Sequence, residues 1–473
     1  MYFKIKNKIM FRPYDDYGYI TDNAMFGYRM LNDKSYYPGE EYVSESGAIM
    51  LGMLSKHPRN IESIIKELLT IFVDVDYEEI KQDTVEFYMQ FVDEGFLCYG
   101  DTIKECNEND VDLITEDENE SLDNAFFVEE CGKNTVNPND FLRSIHIEIA
   151  SECNERCVHC YIPHKYKDSY IDSNLFYRII EEGRDLNIIN VTLSGGEPLL
   201  HKDIISFLEK CRLLDLSVNV LSNLTLLSND IIIEMKKNPL LSVQTSLYSM
   251  DSNIHDEITS VKGSFEKTKN NILKLCSSGI PVQISCPVMK QNFKTYKSVV
   301  EWGIENNIPV GTDFVIFAEY DEVNKNLENR LSFEEVESIY DDELSEDRIS
   351  YILDKVNEKR QLTFDSPVCS VCRYYLCISA EGNVFPCVGW QTKVIGNLNK
   401  DTISDIWENS EKVKELRNIT LDKFVKCLTC DDRGYCTICM MNNSNENTDG
   451  DEFRVTDFHC RVASMIHKKI DKK

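Results

Sequence analysis

The chain has 473 residues, enough for two or three domains with separate cores, and 42% of them are hydrophobic, as in a soluble globular protein. Its formal net charge of −30 argues against a nucleic-acid partner, because binding along a phosphate backbone needs a basic surface. We find no signal peptide and no apolar run long enough to span a bilayer, so we expect a cytoplasmic protein without a membrane partner, whose 18 cysteines form no disulfide framework.

Residues 1–103 are predicted to form a small α+β domain. Alternating apolar residues predict strands around Phe3, Phe11 and Tyr19, and apolar residues at steps of three and four predict helices after them. The predicted helices span residues 44–54, 60–71 and 77–93, and residues 95–97 form a closing strand. This order is typical of a winged-helix domain.

A winged helix most often binds DNA, but the third predicted helix carries five acidic residues against a single Lys81. The domain instead resembles the peptide-recognition domain at the front of enzymes that modify ribosomally made peptides. In those enzymes the leader part of the substrate adds as an extra strand to a sheet edge, bound through backbone hydrogen bonds. The resemblance implies that a ribosomal precursor peptide with a leader is the partner.

Residues 104–142 are predicted to be an acidic linker. Between residues 105 and 130 there are many acids and no lysine or arginine, so the segment repels itself and can bury little surface. We interpret it as a flexible or partly ordered tether.

Residues 143–355 alternate between strand and helix patterns. The predicted strands are 144–149, 191–194, 217–221, 242–246, 282–286 and 312–317. The predicted helices are 175–186, 202–214, 229–236, 265–277 and 296–306. Six such repeats predict an α/β fold with parallel strands and right-handed crossovers, a partial (β/α)6 TIM-like barrel with its chemistry at the carboxyl ends of the strands.

A short loop after the first of these strands contains Cys153, Cys157 and Cys160 at CxxxCxxC spacing. Three thiolates on such a loop can each bind one iron of a 4Fe–4S cluster, which leaves the fourth iron without a protein ligand. Spacing alone also leaves open three unrelated thiols or a zinc site with His159 as fourth ligand, although structural zinc commonly uses paired CxxC motifs.

Further motifs follow the next strands. Gly195-Gly196-Glu197-Pro198 comes after the second strand; its glycines allow a close backbone approach, and Glu197 offers a carboxylate to an ammonium group. Ser222-Asn223 follows the third strand, and Ser246 begins a stretch after the fourth that runs to Phe265.

In this order, the motifs resemble those of the radical S-adenosyl-L-methionine (SAM) enzymes. The resemblance implies that Cys153, Cys157 and Cys160 bind a 4Fe–4S cluster. It also implies that the residues around the cofactor are His159, Gly195, Gly196, Glu197, Ser222, Asn223 and Ser246. Some relatives place an arginine where Thr259 stands, so the contact to the SAM carboxylate stays unassigned. No catalytic residue is assigned, and His255 is as compatible with a helix start as with catalysis.

Residues 356–473 contain nine further cysteines, and residues 377–387 are typical of a hairpin with a cysteine at each end. Taken alone, the segment is also compatible with a zinc ribbon. After the barrel it resembles the SPASM extension, which holds two auxiliary 4Fe–4S clusters. The resemblance implies two ligand sets, Cys372, Cys377, Cys387 and Cys439 for the first cluster and Cys427, Cys430, Cys436 and Cys460 for the second. Either Cys369 or Cys372 is then the first ligand of the first cluster.

The resemblance implies an enzyme with three 4Fe–4S clusters that splits SAM and uses the resulting 5′-deoxyadenosyl radical on a peptide. A small reducing protein such as a flavodoxin or ferredoxin would supply the electron. The first hypothesis is a thioether cross-link from a cysteine sulfur to an α-carbon. A carbon–carbon link between side chains and formylglycine formation of the anaerobic sulfatase-maturing type are alternatives. A non-catalytic iron–sulfur protein that binds DNA is disfavoured by the acidic front domain and the intact GGEP motif.

Overall fold

The front of the chain folds into two small sheets covered by helices. The structure is a computed structural model that describes residues 1–114, 141–320 and 324–472. The elements of the front domain are β1 (Tyr2–Ile5), β2 (Met10–Pro13), β3 (Tyr17–Thr21), β4 (Glu40–Ser44), α1 (Glu45–Gly52), β5 (Arg59–Asn60), α2 (Ile61–Leu68), α3 (Tyr77–Asp93), β6 (Leu97–Gly100) and α4 (Ile103–Glu108). The sheet orders are β5-β1-β6 and β2-β3-β4. The three predicted helices and the closing strand are present, whereas β4, β5 and α4 were not predicted.

The first part of the predicted acidic linker packs against the front domain. Cys106 on α4 is fully buried beside β6, and Asp110 pairs with the buried Lys4 at 2.7 Å. A buried ion pair and a buried thiol hold residues 103–114 in place, so this first part of the predicted flexible or partly ordered tether is ordered. Residues 115–140 of the predicted linker lie outside the described residues.

The middle of the chain forms the parallel sheet that the sequence predicts. Its elements are β7 (Ser144–Ala150), α5 (Ser173–Asp185), β8 (Asn190–Gly195), α6 (Ile204–Leu213), β9 (Ser217–Leu221), α7 (Asn229–Lys237), β10 (Leu241–Ser246), α8 (Ser252–Thr259), α9 (Ser264–Ser277), β11 (Val282–Pro287), α10 (Tyr296–Glu305) and β12 (Val310–Asp313). Strands β7 to β12 are neighbours in chain order, and every adjacent pair is parallel. The α/β class and the six-stranded partial barrel are therefore confirmed.

The last strand of the barrel differs from the prediction. Strand β12 ends at Asp313 because its residues 310–313 pair with residues 284–287 of β11. The apolar residues 314–317, which favoured a strand over 312–317, lie beyond this pairing. The short helix α8 was also not predicted.

The cysteine-rich end of the chain continues the barrel sheet. Its elements are α11 (Phe333–Glu343), α12 (Glu346–Arg360), β13 (Tyr375–Ile378), β14 (Asn383–Phe385), β15 (Gly396–Asn397), α13 (Glu411–Arg417), α14 (Met440–Glu446) and α15 (Asp457–Ile470). Strand β13 pairs parallel to β7, with Cys377 opposite His146, and turns into the predicted hairpin with β14. The boundary predicted at residues 355 and 356 falls inside α12.

Alternation along β7 separates the core from the barrel interior. Ile145, Ile147 and Ile149 are fully buried in the main hydrophobic core. Because successive side chains of a strand point to opposite faces, His146 and Glu148 face the other side of the sheet, toward the interior of the barrel.

The front domain contacts the amino ends of the barrel strands. Arg12 on β2 is fully buried and donates to the carbonyl of Ile188 at 3.0 Å, just before β8. The same guanidinium pairs with Asp215 at 3.3 Å, just before β9. Strand β2 therefore faces the barrel. Strand β4, at the other edge of the sheet, also contacts it, because Arg143 just before β7 donates to the hydroxyl of Tyr42 at 2.7 Å. Within the described parts of the chain, no helix has the length and hydropathy needed to cross a membrane.

Candidate functional site

The three-cysteine loop begins at the carboxyl end of β7 and is braced by α8. The backbone N–H of Arg156 donates to the carbonyl of Thr259, and that of Val158 donates to the carbonyl of Ile258, both at 2.9 Å. Asp256 in turn accepts from the backbone of Phe265 at 3.0 Å, which closes the turn between α8 and α9. The stretch after the fourth strand therefore supports the cysteine loop, a role that its sequence did not reveal.

The loop brings its thiols close to one another. Burial raises the pKa of the Cys157 thiol well above its ordinary value, and Glu155, Cys160 and Cys153 raise it further. The Lys167 ammonium, only 7% exposed, lies 3.3 Å from the sulfur of Cys160. A lysine there places a positive charge beside a sulfur that would bind metal as a thiolate.

The glycine loop after β8 lies directly against the start of the cysteine loop. Gly195 has a φ of +122°, which side-chain-bearing residues rarely adopt, and a Cβ on it would collide with the carbonyl oxygen of Ala150. A Cβ on Gly196 would collide with the carbonyl oxygens of Ser151 and Glu152. Both glycines are thus needed for two loops to pack backbone against backbone.

Glu197 holds two loops of the site together. Its side chain is fully buried and accepts hydrogen bonds from the backbone of Leu199 at 2.9 Å, the hydroxyl of Ser222 at 2.8 Å and the backbone of Asn223 at 2.8 Å. Burial raises the pKa of this carboxyl to about 7, although the three hydrogen bonds lower it. The carboxylate thereby joins the loops after β8 and β9. The ammonium contact that the sequence predicts for Glu197 stays a prediction.

Asn223 connects the loop after β9 to the cysteine loop. Its amide nitrogen donates to the side-chain oxygen of Asn154 at 3.0 Å, and Asn154 donates to the hydroxyl of Thr225 at 2.7 Å. The loops after the first three strands therefore form one hydrogen-bonded unit at the carboxyl end of the sheet. Asn154 was not predicted, although it lies inside the cysteine motif.

Aromatic side chains cover the other side of the cysteine loop. The hydroxyl of Tyr248, two residues after the half-buried Ser246, lies 3.9 Å from the sulfur of Cys157. His159 packs edge-on against Tyr248, with ring centroids 5.1 Å apart, and its buried Nδ1 has no hydrogen-bond partner. His255 is buried and accepts from the backbone of Tyr248 at 3.4 Å, so it supports this cover.

A second group of thiols surrounds the hairpin of β13 and β14. Burial raises the pKa of Cys372 to about 12, Arg417 lowers it, and the neighbouring thiols of Cys369 and Cys387 raise it further. The thiol of Cys387 likewise raises the pKa of Cys377 and that of Cys439. The structure thus brings together five cysteines here, the four of the first predicted set and Cys369.

The second predicted set is also brought together. Burial raises the pKa of Cys436 to about 12, and the neighbouring thiols of Cys460, Cys427 and Cys430 contribute to this shift. Cys430 and Cys460 are exposed, so this group lies at the surface. Every cysteine within the described residues is free of disulfide bonds.

These three groups fit the cofactors that the sequence predicts. A cubane cluster needs thiolates that bind different irons, so its ligands do not converge on one point. Within residues 1–114, 141–320 and 324–472, no three His, Cys, Asp or Glu side chains converge as a single metal ion would need. For SAM, the glycine loop offers half-buried backbone at Gly195 and Gly196, and the buried Oε1 of Glu155 in the cysteine loop has no hydrogen-bond partner.

Comparison with known families agrees with this geometry. Residues 147–303 match the model of the radical SAM superfamily, and residues 369–432 match the SPASM iron–sulfur cluster-binding domain. The first range contains the cysteine loop, the glycine loop and the loops after β9 and β10. The second contains the hairpin and two cysteines of the surface group.

Individual relatives fall into more than one class. The chain is 25% identical over 322 residues to an AdoMet-dependent heme synthase of Methanosarcina barkeri, covering 63% of this chain and 90% of that protein. It is 25% identical over 332 residues to the antilisterial bacteriocin subtilosin biosynthesis protein AlbA of Bacillus subtilis, covering 66% and 71%. In fold it is similar to Streptococcus suis SuiB bound to precursor peptide SuiA, with a TM-score of 0.60, 17% identity and coverage of 97% and 100%.

Proposed function

Because this chain belongs to the radical SAM superfamily and carries a SPASM iron–sulfur domain, we propose that it installs a covalent cross-link in a ribosomally synthesised precursor peptide. The observation that carries the proposal is the hydrogen-bonded unit of three loops at the carboxyl end of the sheet. That unit combines the three-cysteine loop with a glycine loop that only glycines can form. Barrel enzymes bind their substrates at this end.

Each part of the site has a role in this proposal. Cys153, Cys157 and Cys160 hold the first cluster, and the glycine loop offers its backbone to the methionine part of SAM. When bound, the reduced cluster and SAM supply a 5′-deoxyadenosyl radical, which removes a hydrogen atom from an unactivated carbon. The chain's own side chains, such as Tyr248 and His159, cover the loop and exclude water.

A peptide is the substrate that the comparisons favour. SuiB, whose fold covers 97% of this chain, is described with a bound precursor peptide, and AlbA is named for the biosynthesis of a bacteriocin. Within this class we propose a thioether between a cysteine sulfur and an α-carbon. A carbon–carbon link is the alternative within the same class. Formylglycine formation is a further alternative, but it gives no role to the front domain.

The front domain is proposed to bind the leader along β4. Strand β2 lies at one edge of the sheet and its Arg12 is buried against the barrel. On β4, at the other edge, Glu41 and Ser44 are exposed, while Glu40 and Tyr42 contact Arg143. The domain contacts the amino ends of the strands, and the reaction takes place at their carboxyl ends. A bound peptide must therefore extend along the barrel from one end of the strands to the other. At about 3.3 Å per residue, it needs at least about six residues to cover the length of an ordinary strand.

The function is tested with the anaerobically reconstituted full chain, a reductant, SAM and the precursor peptide from the neighbouring short reading frame. We expect 5′-deoxyadenosine and a peptide that has lost the mass of two hydrogen atoms, with a cysteine blocked to alkylation. A reducing protein such as a flavodoxin would replace the chemical reductant in the cytoplasm. Formation of 5′-deoxyadenosine with an unmodified peptide would reject the proposal, and a mass loss with free cysteines would favour the carbon–carbon link.

Leader binding has its own expected result. On addition of a synthetic leader peptide to the full chain, the amides of residues 40–44 should exchange hydrogen at least about tenfold more slowly, because an added strand pairs with the edge. The amides of residues 10–12 serve as the matched control, since β2 lies at the opposite edge of the same sheet; Pro13 has no amide hydrogen. Equal slowing of both strands, or slowing of neither, would contradict docking on β4.

A further inference from the structure

Glu148 is a buried carboxyl that the roles described so far leave unused. It lies on β7, five residues before Cys153, and only 5% of it is exposed. Its neighbours on the strand, Ile147 and Ile149, belong to the hydrophobic core, so Glu148 faces the barrel interior. The register of β7 against β8 shifts between Glu148 and Ala150, an irregularity of the kind that re-aims side chains near active sites.

Only one oxygen of this carboxyl has a hydrogen-bond partner. Oε2 accepts from the side-chain amide of Gln391 at 2.6 Å. Oε1 is buried without any partner. Leaving a buried acceptor unpaired is unfavourable, and more so for a charged group, so such a group needs an explanation. Burial also raises the pKa of this carboxyl to about 7, while the hydrogen bond from Gln391 lowers it, the Glu381 carboxylate raises it, and a weaker hydrogen bond from the nearby Tyr161 hydroxyl lowers it.

The surroundings of Glu148 join two parts of the site. Tyr161, the residue after the three-cysteine loop, interacts with Glu148, with Cys160 and with the hairpin thiols of Cys377 and Cys387. The backbone of Tyr320, which follows β12, donates to the carbonyl of Tyr161 at 3.3 Å. Glu148 therefore lies between the SAM-binding loop and the first auxiliary group of thiols, where a substrate carbon would have to be held.

We propose that Glu148 binds the precursor peptide by accepting a hydrogen bond from a backbone N–H next to the modified residue. A backbone amide is the donor that every peptide segment offers, and a buried carboxylate is a strong acceptor for it. The inference rests on the proposed function, because it concerns the same peptide. It assigns a substrate-binding residue on the strand itself, between two groups of cysteines on separate loops.

The competing explanation is that the bond from Gln391 to Glu148 only holds the cysteine-rich domain against the barrel. The two explanations differ for the variant Gln391→Ala, which removes this bond and keeps the carboxyl. If Glu148 binds the peptide, this variant retains peptide modification within about threefold. If the bond is purely structural, Gln391→Ala and Glu148→Ala have the same effect.

The experiment compares the reconstituted wild type with Glu148→Ala, Glu148→Gln, Gln391→Ala and, as a control for loss of a buried carboxylate, Glu234→Gln on the outer helix α7. Three quantities are measured: iron content, 5′-deoxyadenosine without peptide, and the number of 5′-deoxyadenosine molecules formed per modified peptide. For Glu148→Ala we expect the iron content and the 5′-deoxyadenosine formed without peptide to stay within twofold of the wild type. The number of 5′-deoxyadenosine molecules formed per modified peptide should rise at least about tenfold, because a loosely held peptide escapes the radical. The amide of Glu148→Gln retains an acceptor and should recover part of the coupling.

The outcomes separate this inference from the function on which it rests. A wild type that cleaves SAM but modifies no peptide would overturn both. A wild type that modifies the peptide, with Glu148→Ala equally well coupled, would overturn only the role of Glu148. Loss of SAM binding in Glu148→Ala, or equal uncoupling in Gln391→Ala, would also overturn it.

Discussion

Replacing Cys153 with alanine is expected to abolish SAM cleavage. The thiol lies at the start of a loop that holds it beside Cys157, and a site with only two remaining thiolates cannot retain a cluster with one open iron. The variant should lose about four irons per chain, one cluster's worth, and keep the rest. Its 5′-deoxyadenosine formation should fall to the level of a protein-free control. Iron analysis and chromatography of the reaction products measure both effects.

Cys211→Ala is the matched control for this substitution. Cys211 on α6 is fully buried in the core and belongs to none of the three groups of thiols. Its loss removes a small apolar contact and should cost about 1 kcal/mol of stability without loss of iron. Normal iron content and SAM cleavage in Cys153→Ala would contradict the assignment of the cluster, as would equal losses in the control.

The barrel could be predicted because its signals are local. Runs such as residues 144–149 and 217–221 are bounded by turns and alternate with helical patterns, so strand and helix periods suffice to find them. Topology then follows, since parallel neighbours with short crossovers leave few arrangements. The error at β12 has the same origin, because the apolar residues 314–317 resemble a strand until pairing with β11 is known.

Features that depend on long-range pairing could not be predicted in this way. The parallel pairing of β13 with β7 joins segments more than 200 residues apart, and neither sequence carries a sign of the other. Strand β4 was missed because Glu40 and Glu41 disfavour a strand, and only its pairing with β3 makes it one. The packing of Asp110 on Lys4 likewise overrides the acidic composition of its segment.

In the candidate site, too, some residues could be predicted from the sequence and others could not. Cysteine spacing identifies groups of residues that the structure brings together, because a set of metal ligands can be recognised from residue type and spacing alone. Side chains that position the loops carry no such signal, so Asn154 and Lys167 were missed, as were the hydrogen bonds that Glu197 accepts from Ser222 and Asn223. An acidic residue in a motif does not tell whether its partner is a ligand or a neighbouring loop.

Gly196→Ala is expected to remove SAM binding while leaving the clusters in place. The added Cβ would collide with the carbonyl oxygens of Ser151 and Glu152, so the two loops must separate. Separation would break the bonds from the backbone of Gly196 to Ala150 at 2.7 Å and from Glu197 to Glu152 at 2.9 Å. The shift also displaces the carboxylate that holds the loop after β9, and with it the surface offered to the methionine part of SAM.

SAM affinity of Gly196→Ala, measured by equilibrium dialysis on the reconstituted protein, should therefore fall more than about tenfold, or at least about 1.4 kcal/mol. Iron content should stay that of the wild type, since no cysteine is changed. Gly27→Ala is the control, because the nearest atom to its added Cβ is the carbonyl oxygen of Asn23 at 3.8 Å, an ordinary contact. Unchanged SAM affinity in Gly196→Ala would show that the cofactor does not bind against this loop, whereas loss of iron would show that the glycine loop also supports the cluster.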